Sequence, residues 1–123
     1  ARPTTIADDL GALAAGEDLS GAVILFHAPP HGTALDRAAL DGVKIDGAPL
    51  DVHVGSIAIR RFIEERQPLL TLHGHIHESA RITGRWRDRI GRTVIVGGAH
   101  DGPELSVVRL DPGDPDGAVR ELV

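Results

Sequence analysis

Three histidines alternate with other residues in Leu72-His73-Gly74-His75-Ile76-His77-Glu78. Neutral imidazole is the commonest protein metal ligand, and side chains at i and i+2 of an extended segment project to the same side. His75 and His77 are therefore a candidate ligand pair, with Gly74 free to turn the backbone or let it approach a ligand closely. His27 is the second signal. It closes the apolar run Ala22–Phe26 and precedes Ala28-Pro29-Pro30, a rigid exit that fixes its position. If the two runs are neighbouring strands, three imidazoles reach one sheet edge, where open α/β sheets place ligands. The competing readings are a histidine-rich surface loop for 75 and 77, and a structural, hydrogen-bonded residue for His27.

Other candidates carry less. His31 and His53 flank a long loop and could contact a substrate, although exposed loop histidines usually do nothing specific. His73 shares a side with His75 only if the strand stays regular through Gly74, and is read as structural. His100 and Asp101 are sequence neighbours, which point apart on a strand. Arg85, Arg87, Arg89 and Arg92 could form a phosphate patch, but their alternation with Trp86, Asp88 and Ile90 reads better as the solvated face of a hairpin.

The elements that must position these residues follow from apolar spacing. Thr4 and Thr5 can cap a helix whose Ile6, Leu10, Leu13 and Ala14 share one face, with Gly16 as its stop. Ala22–Phe26 is a continuous apolar run, as expected of a strand covered on both faces, and Pro29-Pro30 ends it. His31 to Val54 reads as a long irregular loop with a short helical turn at Asp36–Leu40. Gly55-Ser56 opens a second helix, with Ile59, Phe62 and Ile63 on one side and Pro68 after its end. Leu69–Leu72, Ala80–Thr83, Thr93–Val96 and Leu105–Leu110 read as strands. A turn region at Asp111–Gly117 precedes a last short segment, Ala118–Val123. The order suggests an α/β fold with a mixed sheet.

Composition narrows the class. The chain has 123 residues, expected to form a single domain, and no cysteine, which excludes disulfides and thiolate ligands. Thirteen basic residues scattered among 18 acidic ones give a net charge of -5, so a broad nucleic-acid-binding face is not expected. No apolar run reaches membrane-spanning length and no signal-peptide pattern opens the chain, so cytoplasm is the default expectation. The absence of methionine means either that an initiator was removed before Ala1 or that the chain is a piece of something longer, and the motifs favour the second reading.

The strand ending in His27-Ala28-Pro29, followed later by Gly74-His75-Ile76-His77, resembles the C-terminal half of the calcineurin-like metallophosphoesterases. His53-Val54-Gly55-Ser56, Arg60, the Pro68 strand entry and Glu78-Ser79 are similar to the smaller bacterial members. The resemblance spans roughly residues 22 to 110. It implies a layered α/β/β/α sandwich with mixed sheets and a binuclear site of divalent transition metals (Mn, Fe or Zn), with His27 and His75 on one ion and His77 on the other. It implies hydrolysis of a phosphomonoester or phosphodiester by the complete protein. The family's Asp-x-His, Gly-Asp and Gly-Asn-His do not precede His27, and Gly97-Gly98-Ala99-His100-Asp101 stands where relatives often have Asn-Pro-Gly-Ser. Two adjacent cations need anionic ligands to offset their repulsion. The chain alone is therefore expected to hold at most one metal and to be inactive, a missing N-terminal half or second chain completing the fold. The alternative is a non-catalytic binding or assembly chain on the half-sandwich scaffold, with a mononuclear zinc hydrolase as a third reading. Whichever holds, Ala22–Phe26 is the strand expected to lack a partner.

Overall fold

The structure, a computed structural model, describes residues 4–45 and 48–123. Its elements are α1 (Ile6–Leu13), β1 (Val23–Phe26), β2 (Arg37–Ile45), β3 (Ala48–His53), α2 (Ile57–Arg66), β4 (Leu70–His73), α3 (Ser79–Thr83), β5 (Arg87–Ile90), β6 (Thr93–Gly97), β7 (Ser106–Asp111) and β8 (Asp114–Leu122). One four-stranded mixed sheet has the order β1-β4-β6-β5, and β2-β3 and β7-β8 form two separate antiparallel pairs. β1, β4 and β6 are parallel, while β5 returns antiparallel to β6. The fold is thus a mixed α/β domain with one main sheet.

Strand periodicity distributes the main sheet's side chains between two cores. On one face Ile95 of β6 packs with Ile59 and Ile63 of α2, Ile90 and Leu35, and Leu10, Phe26 and Phe62 lie against them. On the other, Leu70, Val94 and Val96 meet Ala118 of β8, with Val23, Leu72, Val108 and Leu110 alongside. The sheet is therefore sandwiched between helices and the β7-β8 pair. This explains why β1 and β6 are apolar at consecutive positions rather than at alternate ones.

The helices stop and start where local chemistry requires. Thr5 caps α1 in a reciprocal box with Asp8, both hydrogen bonds being 3.1 Å. Ser56 caps α2 by accepting from the Ile59 N–H at 3.1 Å. Gln67 ends α2 in the left-handed region at φ 46°, and its amide donates to the carbonyls of Ile63 and Ile90 while accepting from the Arg92 N–H. Gly91 lies at φ 58°, and a Cβ there would meet the Gln67 Oε1 at 2.1 Å, so any other residue would have to displace the Gln67 amide. Arg66, in the last turn of α2, ties the two helices by donating to the carbonyls of Ala14 and Glu17. No helix among the described residues is long and apolar enough to cross a membrane.

Three expectations are corrected, the first being the Asp111–Gly117 turn region, because β8 begins at Asp114. Residues 31–54 are not an irregular loop with a helical turn at Asp36–Leu40, since strand β2 begins at Arg37 and pairs with β3. Ala80–Thr83 belongs to α3, not to a strand. There Ser79 donates to the Ala34 carbonyl at 2.7 Å, Thr83 donates to the Ser79 carbonyl at 2.9 Å, and Gly84 closes the turn at φ 72°. These bonds, one long-range and one local, override the strand preference of Ile82 and Thr83.

Candidate functional site

Because β1 and β4 are parallel neighbours, their carboxyl ends deliver His27 and His75 to the same place. The His27 Nε2 lies 3.1 Å from the His75 Nδ1, one ring donating to the other. Gly74 donates to the His27 carbonyl at 3.0 Å, and Ile76 donates to the Gly74 carbonyl at 3.0 Å, forming a three-residue turn. The left-handed residue of that turn is His75 itself, at φ 74°, not Gly74. A non-glycine residue held there stores strain. The turn also ends the extended geometry that would have set His75 and His77 on one side, and His77 is exposed in the turn leading to α3.

His73, one step earlier, is structural. It is 4% exposed, stacks on Phe26 with ring centroids 5.3 Å apart, and donates from Nδ1 to the Ala28 carbonyl at 2.9 Å. Its Nε2 then accepts from the Thr71 hydroxyl at 2.6 Å. Burial pushes its pKa down to about 4, with the Ala28 hydrogen bond acting weakly the other way.

A second polar centre lay unread in the sequence. The Asp36 carboxylate is fully buried and accepts from the backbone N–H groups of Gly32 (2.8 Å), Thr33 (3.0 Å) and Gly55 (3.1 Å), and from the His53 Nδ1–H (2.5 Å). Burial alone would raise its pKa, but the hydrogen bonds from His53, Gly32, Gly55 and Thr33 outweigh it and hold the carboxyl below its ordinary value. His31 stands beside His53 with ring centroids 5.9 Å apart, and its carbonyl accepts from Arg60 at 3.0 Å. Asp36 thereby fastens the segment after β1 to the start of α2 and fixes the ring of His53. The only sequence signal was an aspartate in a glycine-rich stretch, which does not name its partner 17 positions away. His100 and Asp101 lie outside the strands and take separate partners, His100 pairing with Glu104 at 2.7 Å and Asp101 with Arg81 at 2.6 Å.

Among the described residues, no group of three or more His, Cys, Asp or Glu side chains is placed to hold a metal ion. This overturns what the resemblance to calcineurin-like metallophosphoesterases implied: the two-metal cofactor of Mn, Fe or Zn, the single ion expected of this chain alone, and the phosphoester hydrolase activity. Three ligands are the least that a catalytic zinc site uses, so the mononuclear alternative falls with them. His27 and His75 form a pair, and His77 does not join them in such a group.

The backbone of β1 is the other unusual surface. The Ala22 carbonyl accepts from the Leu70 N–H at 3.3 Å, which sets the alternation: the Ile24 backbone groups face β4, and those of Val23 and Leu25 face outward. No strand of the described residues lies on that side. The Leu25 side chain, on the face of the β7-β8 pair, is 76% exposed. On the helix face an apolar pocket of about 180 Å³ opens beside β1, lined by Leu10, Leu13, Ala14, Leu19, Ile24 and Phe62.

No family model matches the chain, and no solved structure matches it. Over 82 residues it is 37% identical to an uncharacterized protein of Methanocaldococcus jannaschii, a match covering 65% of this chain and 32% of that protein. The chain spans about a third of the length of the curated relative it matches.

Proposed function

We propose that this chain is a binding and assembly domain whose open β1 edge accepts an apolar strand from polypeptide outside these 123 residues. The observation that carries the reading is the row of outward N–H and C=O groups at Val23 and Leu25, set between an exposed leucine and an apolar pocket. Parallel strands are ordinarily covered on both faces and flanked by neighbours, and an unguarded apolar edge is a template for strand addition. The source of the strand is suggested by length. About two-thirds of the methanogen relative lies outside the matched segment, ample chain to supply it.

Amide hydrogen exchange tests the reading directly. In a dilute sample that light scattering shows to be monomeric, the Val23 and Leu25 amides should exchange at least 100-fold faster than that of Ile24, which bonds to β4. Adding a seven-residue apolar strand peptide (Lys-Thr-Val-Leu-Val-Thr-Lys) should slow them. Slow exchange at Val23 and Leu25 in the free monomer would mean that the edge is already satisfied, and the proposal would fail.

A further inference from the structure

We infer that the pocket beside β1 selects the incoming strand by one large aliphatic side chain, so that the partner is an extended segment apolar on both faces with Leu, Ile or Phe opposite Ile24. This rests on the strand-acceptor reading and specifies its partner. Residues directly opposite one another in paired strands point to the same face. Whatever lies opposite Ile24 must therefore turn toward α1, where Leu10, Leu13, Ala14, Leu19 and Phe62 form the walls. Residues opposite Val23 and Leu25 turn the other way and cover Leu25 on the face of the β7-β8 pair.

The pocket is shaped for a side chain and little else. Its volume is about 180 Å³, and it is lined by Ile24 and Phe62 as well as by α1. Glu17 is the one charged residue on its rim, and the Glu17 carbonyl accepts from Arg66 at 2.6 Å, so the α1 wall is braced from behind. Leu13, although 82% exposed, projects from a helix that buries none of its residues fully. An apolar side chain so placed gains free energy only when something covers it. A polar side chain opposite Ile24 would be desolvated against these walls without a hydrogen-bond partner.

The test compares two labelled peptides by fluorescence anisotropy on the 123-residue chain: Lys-Thr-Val-Leu-Val-Thr-Lys and its counterpart with serine in place of the central leucine. The leucine peptide should bind about tenfold or more tightly, in keeping with a buried leucine side chain. Leu13→Ser should weaken the leucine peptide several-fold and leave the serine peptide unchanged, and circular dichroism would confirm that α1 persists. Equal affinity of the two peptides, with Val23 and Leu25 amides still protected, would overturn the pocket's role while leaving the strand acceptor standing. Absence of binding together with absence of protection would overturn both.

Discussion

The main sheet has two edges, and they are built on opposite principles. β5 ends the sheet with Arg87-Asp88-Arg89-Ile90, three charged residues in four. Arg87 donates to the Asp116 carbonyl at 2.7 Å, Arg89 pairs with the Asp116 carboxylate, and Asp88 accepts from the Ala34 N–H at 2.9 Å. A strand approaching this edge would have to displace bound, hydrated charges. β1 ends the sheet with Val23-Ile24-Leu25-Phe26, without a charge, a proline or a bulge. Natural sheets guard their free edges with such devices because unpaired backbone attracts further strands. One edge is guarded and the other is not. The proposed strand-acceptor role rests on this asymmetry.

Four measurements would break or sharpen this contrast. The largest effect should come from Ile95→Ala in β6, a fully buried residue whose truncation should cost about 3 kcal/mol. Since β6 joins both halves of the sheet, urea melts should shift to a lower midpoint, and amides of β1 and β5 should lose protection together. Acid should separate the two edges. His73 is neutral in the fold, with a pKa lowered from 6.5 to about 4, so its stabilising contribution is full above pH 6.5 and is lost as pH falls toward 4. The loss should reach roughly 3 kcal/mol by the lower limit. Because His73 stacks on Phe26 and bonds the Ala28 carbonyl, exchange should accelerate at β1 before β5 across that window. A simultaneous rise at both edges would argue against a local role for His73. The double substitution Arg87→Val, Arg89→Val should change stability by no more than about 1 kcal/mol, since its ion pairing is exposed. It should nonetheless produce concentration-dependent self-association in sedimentation runs. Smallest in stability should be Leu25→Arg, within about 0.5 kcal/mol because the side chain is already exposed. The same change should eliminate peptide capture, and retained capture would place the acceptor edge elsewhere.

What the sequence made legible was apolar periodicity. Ile59 and Ile63 on one face of α2, and the unbroken apolar runs of β1 and β6, could be placed because burial leaves its period in the residue types. The expectation that Ala22–Phe26 would lack a partner came from the same source, yet β1 pairs with β4 over its whole length and is open on one side only among the described residues. The β2-β3 pair was missed because the Arg37–His53 stretch mixes glycine, aspartate and proline with its apolar residues, and pairing register is not written in composition. The approach of His27 to His75 could be read from two strand ends, but the left-handed backbone of His75 could not. That conformation goes with the local Ile76–Gly74 hydrogen bond, and the Gly74–His27 bond that anchors the turn exists only once β1 and β4 are aligned. Asp36 was illegible for a related reason. Its four donors come from Gly32, Thr33, His53 and Gly55, so the carboxylate's role emerges only when distant segments meet.

That same carboxylate bears on how freely the chain can be lengthened. β1 and β4 pair in register from Val23 with Leu70, so 47 positions of chain must close before the first parallel contact forms. Asp36 cinches the base of β2-β3 within that span: its carbonyl accepts from the Val54 N–H at 3.0 Å, and its carboxylate accepts from Gly55. Everything between residues 36 and 54 therefore lies beyond a knot and does not alter the distance the parallel strands must cover. Doubling a flexible loop costs only about 0.6 kcal/mol even without such a knot. Guest peptides, and even whole domains with adjoining termini, should be graftable between β2 and β3 without disturbing the sheet, its histidine pair or its bare edge.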